Sequence, residues 1–154
     1  MTIIRKDEAP VEDDQNRRGM GVSSEAHYSD AGGLTQFGAH VVTLQPGARS
    51  SDRHWHAAED EFLYMLDGEA VVVEEEGELT LEPGDAACWP AGAANAHHVL
   101  NRSGAPCSFV VVGTRAARDV VRYPDLGRTT HIDGKDWRIT DDRTGEVLHQ
   151  GRDD

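Results

Sequence analysis

The sequence has 154 residues and a formal net charge of −13, from 28 acidic and 15 basic side chains. Such an acidic chain repels nucleic acid and anionic lipid, and no basic cluster offsets the repulsion, so we expect neither nucleic acid nor membrane as a partner. No apolar run is long enough to cross a bilayer, and the polar first 18 residues lack the apolar segment of a secretory signal. We therefore expect a single-domain cytoplasmic protein.

Most of the predicted secondary structure is β-strand. Residues 1–33 are rich in Asp, Glu, Arg, Ser and Gly, and we interpret them as a loosely ordered N-terminal arm that could add one short strand to a sheet. From residue 34 to 115, short apolar runs alternate with Gly and Pro turn signals, which is typical of an all-β sandwich or barrel. The apolar runs are Ala39–Leu44, Phe62–Leu66, Ala70–Val73, Leu79–Leu81, Ala86–Trp89 and Phe109–Val112.

Two further segments predict hairpins. Val71–Val73 and Leu79–Leu81 flank an acidic stretch with one glycine, which we interpret as a solvated turn rather than a metal site. Residues 116–154 are polar again and are predicted to be a C-terminal extension that packs on the barrel. Within it, Trp137–Thr140 and Glu146–Leu148 could pair as a late hairpin.

The residues most informative about chemistry are His54, His56 and Glu61. On a strand, His54 and His56 share one face, roughly 7 Å apart, so that both imidazoles can tilt toward one cation. Glu61 lies five residues after His56, so residues 57–60 must form a turn or bulge if its carboxylate is to join them. Two imidazoles with a carboxylate form a ligand set used by iron, manganese, nickel and zinc.

A further histidine follows a Gly/Pro turn. His97 and His98 are adjacent, and neighbours on a strand face opposite ways, so only one of them can point inward. The remaining histidines have no such context, and we interpret them as structural or exposed. They are His27, His40, His131 and His149.

These two segments resemble the two signature motifs of the cupin superfamily. The first motif is matched by His54-x-His56, Glu61 and Gly68, with one extra residue after Gly47. The second motif is matched by Gly84, Pro90 and Gly92, with two extra residues before the histidine, and then by His97 and Asn101. The His-x3-Asn spacing of that motif favours His97 over His98.

The resemblance implies a single jelly-roll β-barrel over residues 34–115, with a metal near one mouth. It also implies that His54, His56, Glu61 and His97 bind a divalent transition metal, namely iron, manganese, nickel or zinc. Such a three-His, one-Glu site keeps open coordination positions for water, substrate or dioxygen.

Two functions are compatible with such a site. One is a metal-dependent enzyme acting on a small polar metabolite, of the oxygenase, isomerase, decarboxylase or lyase type. The other is a non-catalytic protein that binds or senses a metal or a small ligand. Fold resemblance alone does not choose between them.

The strand that begins at Glu61 is apolar on both faces. Phe62, Tyr64 and Leu66 alternate with the residues on the ligand side, and a strand that is apolar on both sides is covered on both sides. The terminal arms could provide this cover. We favour a homodimer, because two-fold symmetry is the default for homo-oligomers and the cupin resemblance points the same way.

Overall fold

The computed structural model describes residues 2–16 and 19–153, and this part of the chain consists mainly of antiparallel β-strands. Helical structure there is limited to α1 (Tyr28–Ala31) and a 3-10 turn at Pro124–Leu126. The all-β prediction is therefore confirmed. The strands are β1 (Val11–Gln15), β2 (Val22–His27), β3 (Phe37–Leu44), β4 (Trp55–His56), β5 (Glu61–Asp67), β6 (Ala70–Glu74), β7 (Gly77–Leu81), β8 (Ala86–Trp89), β9 (His98–Leu100), β10 (Cys107–Thr114), β11 (Arg118–Tyr123), β12 (Arg128–Asp133), β13 (Asp136–Asp141) and β14 (Val147–Arg152).

The strands form three antiparallel sheets. Six strands pair in the order β1-β2-β3-β10-β5-β8, five in the order β14-β13-β12-β11-β4, and three in the order β7-β6-β9. An isolated bridge between His54 and His97 links the five-stranded sheet to the three-stranded one. This bridge joins the two segments that carry the motif histidines.

The core lies between the six-stranded and the three-stranded sheets. Leu44 of β3, Leu63 and Met65 of β5 and Phe109 of β10 are almost completely buried, and they pack with Val72 of β6. Residues of β5 alternate in burial because successive side chains of a strand point to opposite faces. Burying each large apolar side chain contributes about 1.5–3 kcal/mol, so the alternation fixes which face of β5 points inward.

Asn101 fixes the end of β9. It is fully buried, and its Nδ2 donates hydrogen bonds to the carbonyl oxygens of Leu44 and Ala105 at 2.9 and 2.8 Å. Its Oδ1 accepts from the backbone N–H of Ser103 at 2.9 Å. This motif residue therefore ties β9 to β3 and shapes the turn that leads to β10, and in doing so it sets the register of the segment that carries His97.

Both terminal segments extend the sheets. In the N-terminal arm, β1 and β2 add two strands beside β3, where the sequence predicted one at most. In the C-terminal segment, β13 and β14 pair as the predicted late hairpin. The strand β11 pairs with β4 in the register Val121 opposite His56, so the C-terminal segment lies directly against the motif histidines.

The outer face of β5 is apolar and open in the single chain. Phe62, Tyr64 and Leu66 are 38%, 40% and 45% exposed. The alternation predicted for this strand is confirmed, and the terminal arms leave these three side chains partly uncovered. Among the described residues, no helix is long and apolar enough to cross a membrane.

Candidate metal centre

Three of the predicted ligands lie together where β4 ends and β5 begins. His54 precedes β4, His56 ends it and Glu61 is the first residue of β5. The intervening residues 57–60 turn the chain, as the spacing predicted, and this brings the Glu61 carboxylate back to the histidines. One nitrogen of each histidine and one oxygen of Glu61 lie within 4.8 Å of one another.

His97 completes the group from the opposite strand. Its backbone pairs with that of His54, with N–H to O distances of 3.0 and 3.2 Å between heavy atoms. Its Nε2 lies 2.8 Å from Oε2 of Glu61. The neighbouring His98 is turned differently, with Nδ1 2.9 Å from the carbonyl oxygen of Ser51. The structure thus brings His97, rather than His98, to the Glu61 carboxylate.

The orientation of the imidazole rings presents Nε2 to Glu61. Nδ1 of His54 lies 2.9 Å from the carbonyl oxygen of Asp52, and Nδ1 of His97 lies 3.1 Å from that of Asn95. A carbonyl oxygen only accepts hydrogen bonds, so each Nδ1 carries the hydrogen and the lone pair of the neutral ring is on Nε2. Nε2 of His97 and the Glu61 carboxylate then present lone pairs to each other. Because two lone pairs repel, a proton or a cation must lie between them.

The ring of His56 is held by a carboxylate that the sequence analysis did not single out. Asp119 of β11 is buried, and its Oδ2 lies 2.6 Å from Nδ1 of His56. Its Oδ1 accepts from the backbone N–H of Ala58 at 2.8 Å, which also fixes the turn after β4. Metal-binding histidines are commonly oriented by a carboxylate in this way. The Nε2 of His56 then points toward Glu61, 4.0 Å from its Oε1.

Electrostatics favour the deprotonated forms that bind metals. Burial raises the pKa of the Glu61 carboxyl, but the hydrogen bond with His97 and the charges of the nearby imidazoles outweigh burial and leave the pKa below its usual value. Burial also lowers the pKa of His54. The shift of Glu61 means that nearby positive charge keeps its carboxylate ionised, and the shift of His54 favours the neutral imidazole that coordinates a metal.

Two aromatic side chains border the group. The ring of Trp89 is stacked on that of His97, with centroids 3.8 Å apart and planes 4° from parallel, and its Nε1 donates to Glu74 at 2.7 Å. Tyr123 of β11 lies 5.3 Å from His54 between ring centroids. Trp89 is a buried residue, and its stacking holds the His97 ring in place.

Comparison with known proteins identifies the family. Residues 40–113 match the Cupin domain model. A solved sugar phosphate isomerase of the cupin superfamily from Silicibacter pomeroyi is 34% identical, with 96% of this chain and 97% of that one covered and a TM-score of 0.88. The chain belongs to the cupin superfamily.

Other solved structures agree with this assignment. A protein from Acidithiobacillus ferrooxidans, named provisionally as a sugar phosphate isomerase, is 30% identical over 83% of this cupin and 81% of its own chain, with a TM-score of 0.77. A Thermotoga maritima protein named as a predicted oxalate decarboxylase is 24% identical over 75% of this chain and all of its own, with a TM-score of 0.63, and it supports the fold alone. Among curated protein sequences, none matches the chain.

A cavity of about 210 Å³ lies beside the ligand group of this cupin. Its wall is formed in part by apolar core residues and in part by the polar side chains of Glu25, His40, Ser50 and Ser51. None of its lining residues is Lys or Arg in the described part of the chain. His54, Glu61, His97 and His98 also border it, so two imidazoles and the carboxylate of the predicted ligand set are within reach of a small bound molecule.

Proposed function

We propose that this cupin binds one divalent transition metal (iron, manganese, nickel or zinc) through His54, His56, Glu61 and His97. The observation that carries the proposal is the shared direction of the donor atoms. Each histidine donates a hydrogen bond from Nδ1 to an oxygen, and the Nε2 atoms of His56 and His97 lie 4.0 and 2.8 Å from the Glu61 carboxylate. A metal there would have mixed nitrogen and oxygen ligands and open positions toward the cavity.

We propose further that the protein is a metal-dependent enzyme that isomerises a small sugar phosphate. The Silicibacter pomeroyi relative named as a sugar phosphate isomerase matches nearly the whole chain, which supports this substrate class. Aldose and ketose interconvert when hydrogen moves between neighbouring carbons and between their oxygens. A bound metal would polarise the carbonyl and the adjacent hydroxyl of such a substrate. The cavity beside Glu61 has space for a metabolite of only a few carbons.

An activity assay on defined metal forms tests the proposal. Protein stripped of metal and reloaded with each of the four metals is incubated with a panel of aldose phosphates, and ketose phosphates are measured by NMR. We expect turnover by the loaded wild type and none by Glu61→Ala. A matched control is Glu76→Ala, at the exposed tip of the β6–β7 hairpin, which should keep full activity.

The possible outcomes separate the two parts of the proposal. A protein that binds one metal at these residues but converts no substrate refutes the isomerase and leaves the metal site intact. A wild type that binds no metal more tightly than Glu61→Ala refutes both. The metal must therefore be quantified on the same samples that are assayed.

The cavity wall favours a second candidate, a non-catalytic protein that binds a small ligand. A phosphate group is normally held by cationic side chains or by backbone N–H groups at a helix N-terminus. Among the described residues, those that line this cavity include neither Lys nor Arg, and many are apolar, among them Val42, Leu63, Val99 and Phe109. Calorimetric titration with the same panel distinguishes the two functions, because a binder gives saturable heat without any product.

We also propose that two copies associate through the outer face of β5. Phe62, Tyr64 and Leu66 form an exposed apolar stripe on one strand of a strongly acidic chain. A second copy of the same stripe would cover it without adding buried charge, and the metal group lies on the opposite face of the strand.

A further inference from the structure

A second group of potential ligands lies on the inner face of β2 and β3. His27 of β2 is directly opposite His40 of β3 in the antiparallel register, and Glu25 is opposite the core residue Val42. Residues 25 and 27 share one face of β2, and 40 and 42 share one face of β3. From the sequence, His27 and His40 were interpreted as structural or exposed, because the pairing of the two strands, rather than motif spacing, brings them together.

The donor atoms of these three side chains converge without forming hydrogen bonds of normal length. Oε2 of Glu25 lies 3.9 Å from Nε2 of His27 and 3.7 Å from Nδ1 of His40. The two rings are 4.5 Å apart between centroids and tilted by 60°. One donor atom from each residue lies within 4.8 Å of the others. Small side-chain rotations would bring all three within about 2.0–2.2 Å of one ion.

His40 is a suitable ligand for a further reason. Its Nε2 is buried and has no hydrogen-bond partner among the described residues. No hydrogen bond therefore commits the ring to one tautomer, and Nδ1, the nitrogen that faces Glu25, is available as a lone-pair donor. Both Glu25 and His40 also line the 210 Å³ cavity.

The charges around the group favour a cation. Oδ2 of Asp30 lies 3.8 Å from Nδ1 of His27, and Oε2 of Glu12 lies 4.0 Å from Nε2 of the same ring. The nearby Arg115 is paired with Asp30, which offsets one of these carboxylates. The Glu25 carboxylate therefore faces two imidazoles, and the net charge of the chain adds to the attraction for a cation.

We propose that Glu25, His27 and His40 form a second binding site for a divalent transition metal, at the wall of the same cavity. Two imidazoles and one carboxylate suit zinc, nickel, copper or cobalt better than magnesium or calcium, which prefer oxygen ligands alone. With three protein ligands instead of four, this site should be weaker than the His54 group. An ion there would add positive charge to a cavity wall that lacks Lys and Arg side chains among the described residues.

Metal titration of the full chain tests the site. Metal-free protein is titrated with Zn²⁺ against a chromophoric chelator, and the number of ions bound per chain is measured. We expect two for the wild type and one for His40→Ala, with the tighter ion retained. Glu61→Ala should also bind one, at the weaker site. The control His149→Ala removes an exposed histidine of β14 and should bind two.

Conservative variants protect the test against misfolding. Glu25→Gln and His27→Gln keep the size and polarity of the side chains, and circular dichroism before titration shows whether each variant is folded. A wild type whose one ion is retained in His40→Ala, or folded His40→Ala and His27→Gln variants that bind as many ions as the wild type, would overturn the inference. Loss of an ion in His40→Ala but not in Glu61→Ala would support this site and refute the proposed function instead, so the two failures are distinguishable.

Discussion

At the scale of single residues, the direction of each imidazole depends on the oxygen atom that contacts its Nδ1. His54 and His97 are held by backbone carbonyl oxygens, which side-chain substitutions elsewhere leave in place. His56 is held by the Asp119 carboxylate, which lies 63 positions further along the chain. A single side-chain substitution at Asp119 therefore removes this contact to His56.

We predict that Asp119→Asn weakens metal binding by about 10- to 100-fold, a typical effect of losing a carboxylate behind a ligating histidine. The amide retains one acceptor but not the charge, and it cannot serve both Nδ1 of His56 and the N–H of Ala58 as two carboxylate oxygens do. Chelator competition measures the affinity. Asp133→Asn changes an exposed carboxylate at the end of β12 and should leave the affinity at the wild-type value; equal losses in both variants would contradict a specific role for Asp119.

A second prediction at this scale separates the adjacent histidines. His97→Ala should lose the tightly bound metal, because its Nε2 faces Glu61, whereas His98→Ala should keep it. Metal retained after desalting is measured by elemental analysis. Retention in His97→Ala together with loss in His98→Ala would mean that the two residues inserted before the histidine shift the register of the ligand.

At the scale of secondary-structure elements, the apolar pattern predicted the central strands well and the N-terminal strands poorly. Phe62–Leu66 and Val71–Val73 alternate or cluster as strands with a buried face do, and they lie within β5 and β6. The strand β1 has the sequence VEDDQ, whose acidic residues disfavour strands, and only its pairing with β2 explains it. The sequence predicted the strands that have an apolar face buried in the core. It missed strands such as β1, which form because they pair with a neighbouring strand.

The candidate site follows the same rule. His54, His56 and Glu61 come together because the H-x-H spacing and the turn at residues 57–60 are local features of the chain. His97 was predicted from the second cupin motif, and its bridge to His54 brings it to the other three. Asp119 was missed because its partner is remote in sequence and no spacing connects them. The signal available in the sequence was that Asp119 directly precedes the apolar residues Val120 and Val121. A carboxylate that is buried with such residues needs a hydrogen-bond or charge partner.

Gly68 provides a test of one turn between elements. Its φ is +75°, and a Cβ there would lie 2.7 Å from the carbonyl oxygen of Pro106 and 2.8 Å from Cα of Cys107. Gly145 has a similar φ of +73°, with no atom within 4 Å of the added Cβ. Both Ala variants incur the left-handed cost of about 1–2 kcal/mol, and only Gly68→Ala adds steric overlap of about 1–3 kcal/mol. Urea unfolding should therefore show a larger loss of free energy of unfolding for Gly68→Ala than for Gly145→Ala; equal losses would mean that the β5–β6 turn relaxes.

At the scale of the whole molecule, the six-stranded sheet separates two apolar faces. Its inner face carries Leu63, Met65 and Phe109 and leads to the candidate metal ligands. On its outer face, Tyr64 lies opposite Val110 and Phe62 opposite Val112 in the register of β5 and β10. The outer stripe is therefore continuous across two strands, and an exposed apolar patch of this kind marks an interaction surface.

We predict a homodimer through this face, with one metal group in each subunit. Burial stabilises the dimer by about 25 cal/mol per Å² of apolar surface, before association costs are subtracted. Two chains that each carry a charge of −13 repel each other. Added salt screens this repulsion and should therefore strengthen the dimer. Tyr64→Asp should dissociate it through a buried unpaired charge, without changing metal per chain. Leu79→Asp, on the exposed side of β7, is the matched control and should remain dimeric. Sedimentation at low and high salt, with metal measured on the same samples, decides both points. A monomeric wild type would refute the interface, and loss of metal on dissociation would mean that the group depends on the partner chain.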